Sequence, residues 1–90
     1  ILLLTPVFGQ RLSGIIYDSA QSPIEYVSVM IKNSKTAVNT ISDSLGHFKF
    51  ENVTTGKYKI EFSRVNYKKL SKELTLINDT VLSIKLDPDI

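Results

Sequence analysis

The strongest constraint on this chain is residues 42–50, in which a turn leads directly into a strand of alternating aromatic residues. Asp43 can close the turn by accepting backbone N–H groups, and Gly46 supplies the positive φ that a tight reversal needs. Phe48 and Phe50 then share one face of the strand, because successive side chains of a strand point to opposite faces. A half-buried strand behind a tight turn favours a β-sheet protein.

A second turn, ending at Gly56, leads into another alternating strand in which Tyr58, Ile60 and Phe62 share a face. We interpret these two consecutive strands as the central pair of a β-sandwich. Five further strand-like segments, separated by turn residues, lie at residues 11–17, 24–32, 36–41, 70–76 and 82–86. Short strands with turns every 8–12 residues or so, and no helical periodicity, predict an all-β sandwich of seven antiparallel strands.

Several positions within this pattern carry more specific predictions. A glycine inside a strand, here Gly14, indicates a bulge or a close approach of two backbones. Residues 36–41 are polar, and we therefore expect them to form an edge strand. The inward positions of three strands should share one core: Phe48, Phe50, Tyr58, Ile60, Phe62, Leu82, Ile84 and Leu86.

Composition excludes several classes of function. The chain has 90 residues with 42% hydrophobic content, which suffices for one small folded domain. Its net charge is +2, and the Lys and Arg residues are spread along the chain, so no nucleic-acid-binding surface is indicated. The chain contains no cysteine, which excludes disulfides and thiolate metal sites.

The two termini differ in character from the rest of the chain. Residues 1–9 are apolar, and Val7 and Gly9 stand at positions −3 and −1 of a signal-peptidase cut before Gln10. We interpret residues 1–9 as the end of a signal peptide, with a buried first strand as the alternative. The domain then spans residues 10–86. Residues 87–90 read as the start of a linker, because Pro88 cannot donate to a strand ladder.

Candidate catalytic and binding residues are few. His47 follows Asp43 and Ser42 closely, but a strand should turn its imidazole toward solvent, and a triad needs the base oriented between nucleophile and carboxylate. The aspartates show no calcium-loop spacing. We therefore predict no catalytic, cofactor or metal-ligating residues. Three tyrosines could form a sugar- or protein-binding face, although packing on the sheets is the favoured role: Tyr17, Tyr26 and Tyr67.

Together these residues resemble the carboxypeptidase regulatory-like domain family over about residues 11–86. The resemblance rests on the segments 13–18, 23–29, 42–48, 56–58 and 66–67. It implies a transthyretin-like (prealbumin-like) sandwich whose turn and core positions are Gly14, Pro23, Asp43, Gly46, Phe48, Phe50, Gly56, Tyr58, Asn66 and Tyr67. Two departures are Asn66, where the family usually has glycine, and the apolar Leu45 before the turn glycine.

The resemblance also implies a setting. The family commonly stands behind a signal peptide at the N-terminus of outer-membrane β-barrel proteins of Bacteroidetes-type bacteria, including TonB-dependent receptors. We therefore expect an exported, non-catalytic module at the periplasmic face of the outer membrane. Its partner would be a downstream plug or barrel of the same chain, or a periplasmic or surface protein, with membrane contact only through the barrel. The alternatives are an accessory domain of a secreted enzyme such as a zinc carboxypeptidase, or a carbohydrate- or ligand-binding module.

Overall fold

The computed structural model describes residues 9–89, and they form seven β-strands. No helix long and apolar enough to cross a membrane occurs in this part of the chain. Of the predicted signal-peptide segment, only Gly9 lies among the described residues. The strands are β1 (Gln10–Tyr17), β2 (Ser28–Lys32), β3 (Ala37–Ile41), β4 (His47–Val53), β5 (Gly56–Ser63), β6 (Leu70–Leu76) and β7 (Thr80–Lys85).

The strands form two sheets that pack face to face. One sheet has three strands in the order β4-β1-β7, and the other has four in the order β3-β2-β5-β6. The predicted all-β, seven-stranded sandwich is confirmed. The prediction that all strands are antiparallel is wrong for one pair, because β1 and β7 run parallel. The chain enters β7 from β6 of the opposite sheet, so no hairpin forces β7 to reverse direction beside its neighbour.

The prediction that β4 and β5 are the central pair of the sandwich is wrong for β4. β4 lies at the edge of the three-stranded sheet, whereas β5 lies inside the four-stranded sheet. The two residues Thr54 and Thr55 therefore carry the chain from one sheet to the other, instead of closing a hairpin. Alternation correctly specified which face of each strand is buried, but it does not specify which strand is the neighbour.

The core lies between the sheets and is built from inward positions of both. Seven of the predicted core residues are buried, and Leu82 is partly buried against them. The buried apolar residues are Leu12, Ile16, Ile24, Val27, Val29, Ile31, Phe48, Phe50, Val53, Tyr58, Ile60, Phe62, Leu76, Ile84 and Leu86.

The segment predicted to begin a linker is joined to the fold by its backbone. The Lys68 amide donates to the carbonyl of Asp87 at 2.8 Å, and the Asp89 amide donates to the carbonyl of Asn66 at 2.9 Å. An isolated bridge pairs Tyr67 with Pro88, whose missing N–H is not needed there. Residues 87–89 are therefore hydrogen-bonded to the segment at residues 66–68.

Candidate functional site

The turn before β4 is closed by the side chain of Asp43. Its Oδ1 accepts hydrogen bonds from the amides of His47 and Leu45, each at 2.9 Å, and its carbonyl accepts one from the amide of Gly46. The bond from His47, aided by that from Leu45, stabilises the charged carboxylate and lowers the pKa of Asp43 below its usual value. The carboxylate is thus engaged in forming the turn, as the sequence predicted.

Two glycines allow β1 to pack closely between its neighbours. Gly46 has φ +76°, and a Cβ placed there would lie 2.4 Å from the carbonyl oxygen of Ile16. A Cβ at Gly14 would lie 2.4 Å from the carbonyl oxygen of Leu82 and 2.8 Å from the Phe48 ring. The register irregularity of β1 lies between Gln10 and Leu12, so Gly14 marks a close approach and not a bulge.

The loop before β2 is held by a buried serine. The Ser42 hydroxyl donates to the carbonyl of Ile24 at 2.8 Å and accepts the amide of Val27 at 2.8 Å. The Ser42 carbonyl accepts a hydrogen bond from the amide of Tyr26. Tyr26 and Val27 thus both lie opposite Ser42, as in a β-bulge. Tyr26 is left at φ +66° with 66% of its surface exposed, a costly conformation for a non-glycine residue. The Ser42 hydroxyl is therefore committed to this loop.

The other two predicted tyrosines are less exposed than Tyr26. Tyr17 and Tyr67 are half-buried, and each forms an isolated bridge with a proline, Pro23 and Pro88 respectively. Asn66, where the family usually has glycine, has φ +73°, a left-handed geometry that asparagine tolerates. Tyr67 packs against the hydrophobic core, which supports the packing role for this tyrosine, and Tyr26 is the exposed member of the three.

Gly56, the remaining predicted turn residue, lies where the chain crosses from β4 of one sheet to β5 of the other. Gly56 begins β5 with φ +154°, and the nearest atom to a Cβ placed there would be Tyr58 Cε2 at 4.0 Å. The Tyr58 ring is buried, and its hydroxyl donates to the carbonyl of Thr54 at 2.7 Å. This bond ties the short connection between β4 and β5 to the core.

His47 lies on the outer face of the three-stranded sheet, as predicted. It lines an open groove of about 720 Å³ together with Asp43 and apolar residues of four strands, β1, β3, β4 and β7. Ser42 does not line this groove, and its hydroxyl is bonded elsewhere. Within residues 9–89, no group of three His, Asp or Glu side chains is arranged to hold a metal ion. The apolar lining of the groove includes Ile15, Ile41 and Val81.

A caged carboxylate on the four-stranded sheet was missed by the sequence reasoning. Glu61 points outward from β5, yet its side chain is only 11% exposed. Lys32 and Lys69 lie 2.7 and 2.9 Å from its carboxylate oxygens, and Lys59 lies at 4.0 Å. The hydrogen bond from Lys32, followed by that from Lys69, lowers the pKa of Glu61 to about 2. An outward charge in an alternating strand is typical of a solvated face. Only the placement of β2 and of Lys69, just before β6, beside β5 brings these lysines together.

The four sheet edges differ in how they are protected. β6 carries Lys72 on its inward side, opposite the buried Ile60, and an inward charge is a common protection of an edge against pairing. β4 carries Lys49 and Glu51, and β7 carries Lys85. β3, the predicted edge, reads Ala-Val-Asn-Thr-Ile and has neither a charge nor a proline. Among the described strands, β3 is the edge without such protection.

The backbone of β3 presents free hydrogen-bonding groups along this edge. At one end of the β2–β3 hairpin, the Asn33 amide donates to the carbonyl of Thr36 at 2.9 Å. At the other end, the Ser42 amide donates to the carbonyl of Val27 at 3.0 Å. Bonded and non-bonded positions alternate in an antiparallel pair, so the backbone groups of Val38 and Thr40 point at β2. Those of the intervening residues point away from the sheet: Ala37, Asn39 and Ile41.

The side chains of β3 leave apolar surface uncovered on both faces of this edge. Val38 points toward the interior, opposite the buried Ile31, yet 45% of its surface is exposed. It lines a groove of about 310 Å³ that separates β3 from β4. Ile41, on the outer face, is 58% exposed. We call this unpaired backbone and its exposed side chains, residues 37–41, the β3 edge.

Comparison with known proteins agrees with this architecture. Colossin-A of Dictyostelium discoideum contains a segment that is 40% identical over 50 residues, which is 54% of this chain and, to the nearest per cent, 0% of that protein. The major pilin subunit BcpA of Bacillus cereus has a similar fold, with a TM-score of 0.74 and 17% identity, over 93% of this chain and 31% of the pilin. Klebsiella pneumoniae 5-hydroxyisourate hydrolase matches with a TM-score of 0.70 and 17% identity, over 94% of this chain and 92% of the enzyme.

The two structural likenesses show a shared transthyretin-like sandwich and nothing about activity, because their identities are low. The chain spans a small part of Colossin-A and less than a third of the pilin. The model of one family, described as the carboxypeptidase regulatory-like domain, matches residues 11–87. The chain therefore belongs to the carboxypeptidase regulatory-like domain family.

Proposed function

We propose that this domain is a non-catalytic docking module that joins its partner by strand addition at the β3 edge. The observation that carries the proposal is that the two edges of the four-stranded sheet differ in their protection against pairing. β6 has an inward lysine, whereas β3 has no charged residue. An added strand would bond to the free backbone groups and cover exposed apolar side chains, which is how β-augmentation gains affinity. The likeness to a pilin subunit, a protein of an assembly, is compatible with such a role.

The proposal places the domain at the periplasmic face of the outer membrane, at the N-terminus of a β-barrel receptor of the TonB-dependent type. The apolar residues 1–9, with Val7 and Gly9 at the spacing of a signal-peptidase site, support export. The family membership supports the attachment to a larger protein, in which transport is carried out by the plug and barrel. The docking partner is then the plug, or a periplasmic or surface protein that works with it.

The test compares two substitutions at one position of the full-length protein. Asn39→Pro removes an N–H that points away from β2, so the partner loses a donor while the β2–β3 ladder keeps its bonds. Asn39→Ala retains the N–H and serves as the matched control. We expect substrate uptake and partner association to fall with proline and to stay at the parental level with alanine. Parental uptake and association in the proline variant, with its fold intact by circular dichroism, would overturn the docking role.

A further inference from the structure

We infer that the strand added at the β3 edge is β3 of a second copy of this chain, which makes the domain a pairing device. This inference rests on the proposed strand addition and names its periplasmic partner: another molecule of the same protein, in place of the plug. The free backbone groups of this edge belong to Ala37, Asn39 and Ile41. These three positions are centred on Asn39. A two-fold axis beside Asn39 therefore places the free groups of one copy opposite the free groups of the other. An interface of that kind uses the same patch on both copies.

The symmetric register is complementary in size. Asn39 faces Asn39 of the second copy, and Ala37 faces Ile41, so that a small side chain meets a large one. On the inner face, Val38 meets Thr40, and both are β-branched residues that pair well across strands. The three bonded pairs supply about six backbone hydrogen bonds, two at each pair. Pairing therefore covers the exposed surfaces of Val38 and Ile41 together.

Charge also favours self-pairing of β3 over self-pairing of β6, the other edge of the same sheet. β3 itself carries no ionisable side chain, so a second copy opposes no like charges along the strand. Self-pairing of β6 centred on Glu73 would place two carboxylates opposite each other, and like charges directly opposed are destabilising. The Asn39 side chain meets its own copy as a neutral amide, with its Oδ1 already accepting the Ser28 hydroxyl at 3.0 Å.

A five-residue edge makes a small interface, so the dimer is weak and transient. Sedimentation velocity of the 90-residue chain, from about 10 μM to about 1 mM, should show a reversible shift from monomer to dimer. A sedimentation coefficient that stays monomeric over this range would overturn the inference.

Asn39→Asp gives the sharpest test of the register. It places two carboxylates opposite each other at the two-fold axis while the Ser28 hydroxyl can still donate to position 39. We expect a dissociation constant weaker by about fivefold or more at pH 7, with recovery when the carboxyl groups are protonated at low pH. An unchanged dissociation constant would exclude self-pairing centred on Asn39.

A charge swap tests direction as well as register. Ala37→Lys and Ile41→Glu should each weaken the dimer, because each partly desolvates a charge that has no opposite charge across the interface. The double variant places the introduced lysine of each copy opposite the introduced glutamate of the other, and should restore association. If the double variant is as weak as the singles, the pairing is not antiparallel in this register.

The outcome can be separated from that of the proposed function. If the chain stays monomeric but Asn39→Pro still abolishes uptake in the full-length protein, the added strand comes from another protein and the second-copy inference fails. If the chain dimerises through β3 but Asn39→Pro leaves uptake and partner association unchanged, the pairing exists and the docking role fails.

Discussion

Phe48 of β4 and Phe62 of β5 meet edge to face across the two sheets, with ring centroids 5.8 Å apart and ring planes at 72°. Phe48 makes a second edge contact with Phe50, at 6.4 Å. Because β4 and β5 belong to different sheets, the Phe48–Phe62 contact is a tie between the two layers and not a cross-strand pair. Both rings are buried, and Phe62 is fully so.

Truncation of either ring should cost a large part of the stability of this small domain. We expect Phe62→Ala to lower the free energy of unfolding by about 3–5 kcal/mol, through lost burial and the cavity that remains. Urea denaturation of Phe48→Ala, Phe62→Ala and the double variant should give a coupling of about 0.5–1.5 kcal/mol between the rings. Additive single effects would show that the rings do not interact across the sheets.

Substitution of Gly46 should be harmful even when the new residue tolerates positive φ. Asparagine accepts φ +76°, but its Cβ would still lie 2.4 Å from the carbonyl of Ile16. We therefore expect Gly46→Asn and Gly46→Val both to melt far below the parent. Asn66→Gly is the control, since Asn66 already occupies left-handed geometry, and it should change the melting temperature little. A Gly46→Asn variant as stable as the parent would refute the steric argument.

The Ser42 hydroxyl should matter more to stability than its size suggests. Ser42→Ala leaves the carbonyl of Ile24 and the amide of Val27 without this partner in a buried setting, which costs about 1–3 kcal/mol. Tyr26→Gly should relieve the strain at φ +66° and leave stability unchanged or raised by about 1 kcal/mol. Thermal denaturation measures both effects. A strongly destabilised Tyr26→Gly variant would mean that the Tyr26 ring contributes packing.

Glu61 should make stability depend on pH in the acidic range. Its pKa is lowered from 4.5 to about 2 by folding, so its contribution is fully present above pH 4.5 and is lost as pH falls toward 2. Urea midpoints measured between these pH values should decline less steeply in Glu61→Gln than in the parent. An identical slope in Glu61→Gln and the parent would exclude the lysine cage as the cause.

Sequence patterns predicted the faces of the strands better than their neighbours. Phe48 and Phe50 in β4, and Tyr58 and Phe62 in β5, were correctly identified as buried. They alternate with polar residues, and this periodicity is local to each strand. The parallel pairing of β1 with β7 and the crossing at Thr54 depend on contacts far apart in the chain. No local pattern encodes those contacts.

The candidate site shows the same division between local and distant information. The polar composition of residues 36–41 correctly predicted an edge strand, because that composition can be read from the segment alone. The difference in protection between the β3 and β6 edges could not be predicted in this way. It depends on the strand register, which places Lys72 inward, opposite Ile60. The cage around Glu61 likewise joins lysines from three separate segments, and no spacing in the sequence links them.

The most direct test of the β3 edge is amide hydrogen exchange followed by NMR at low and high concentrations of the chain. In dilute monomer, the amides of Ala37, Asn39 and Ile41 should exchange fast, because they point away from β2, whereas those of Val38 and Thr40 should be protected. At high concentration the three free amides should become protected as a second strand adds. Slow exchange of these three amides in the dilute monomer, or fast exchange that association does not change, would contradict the account.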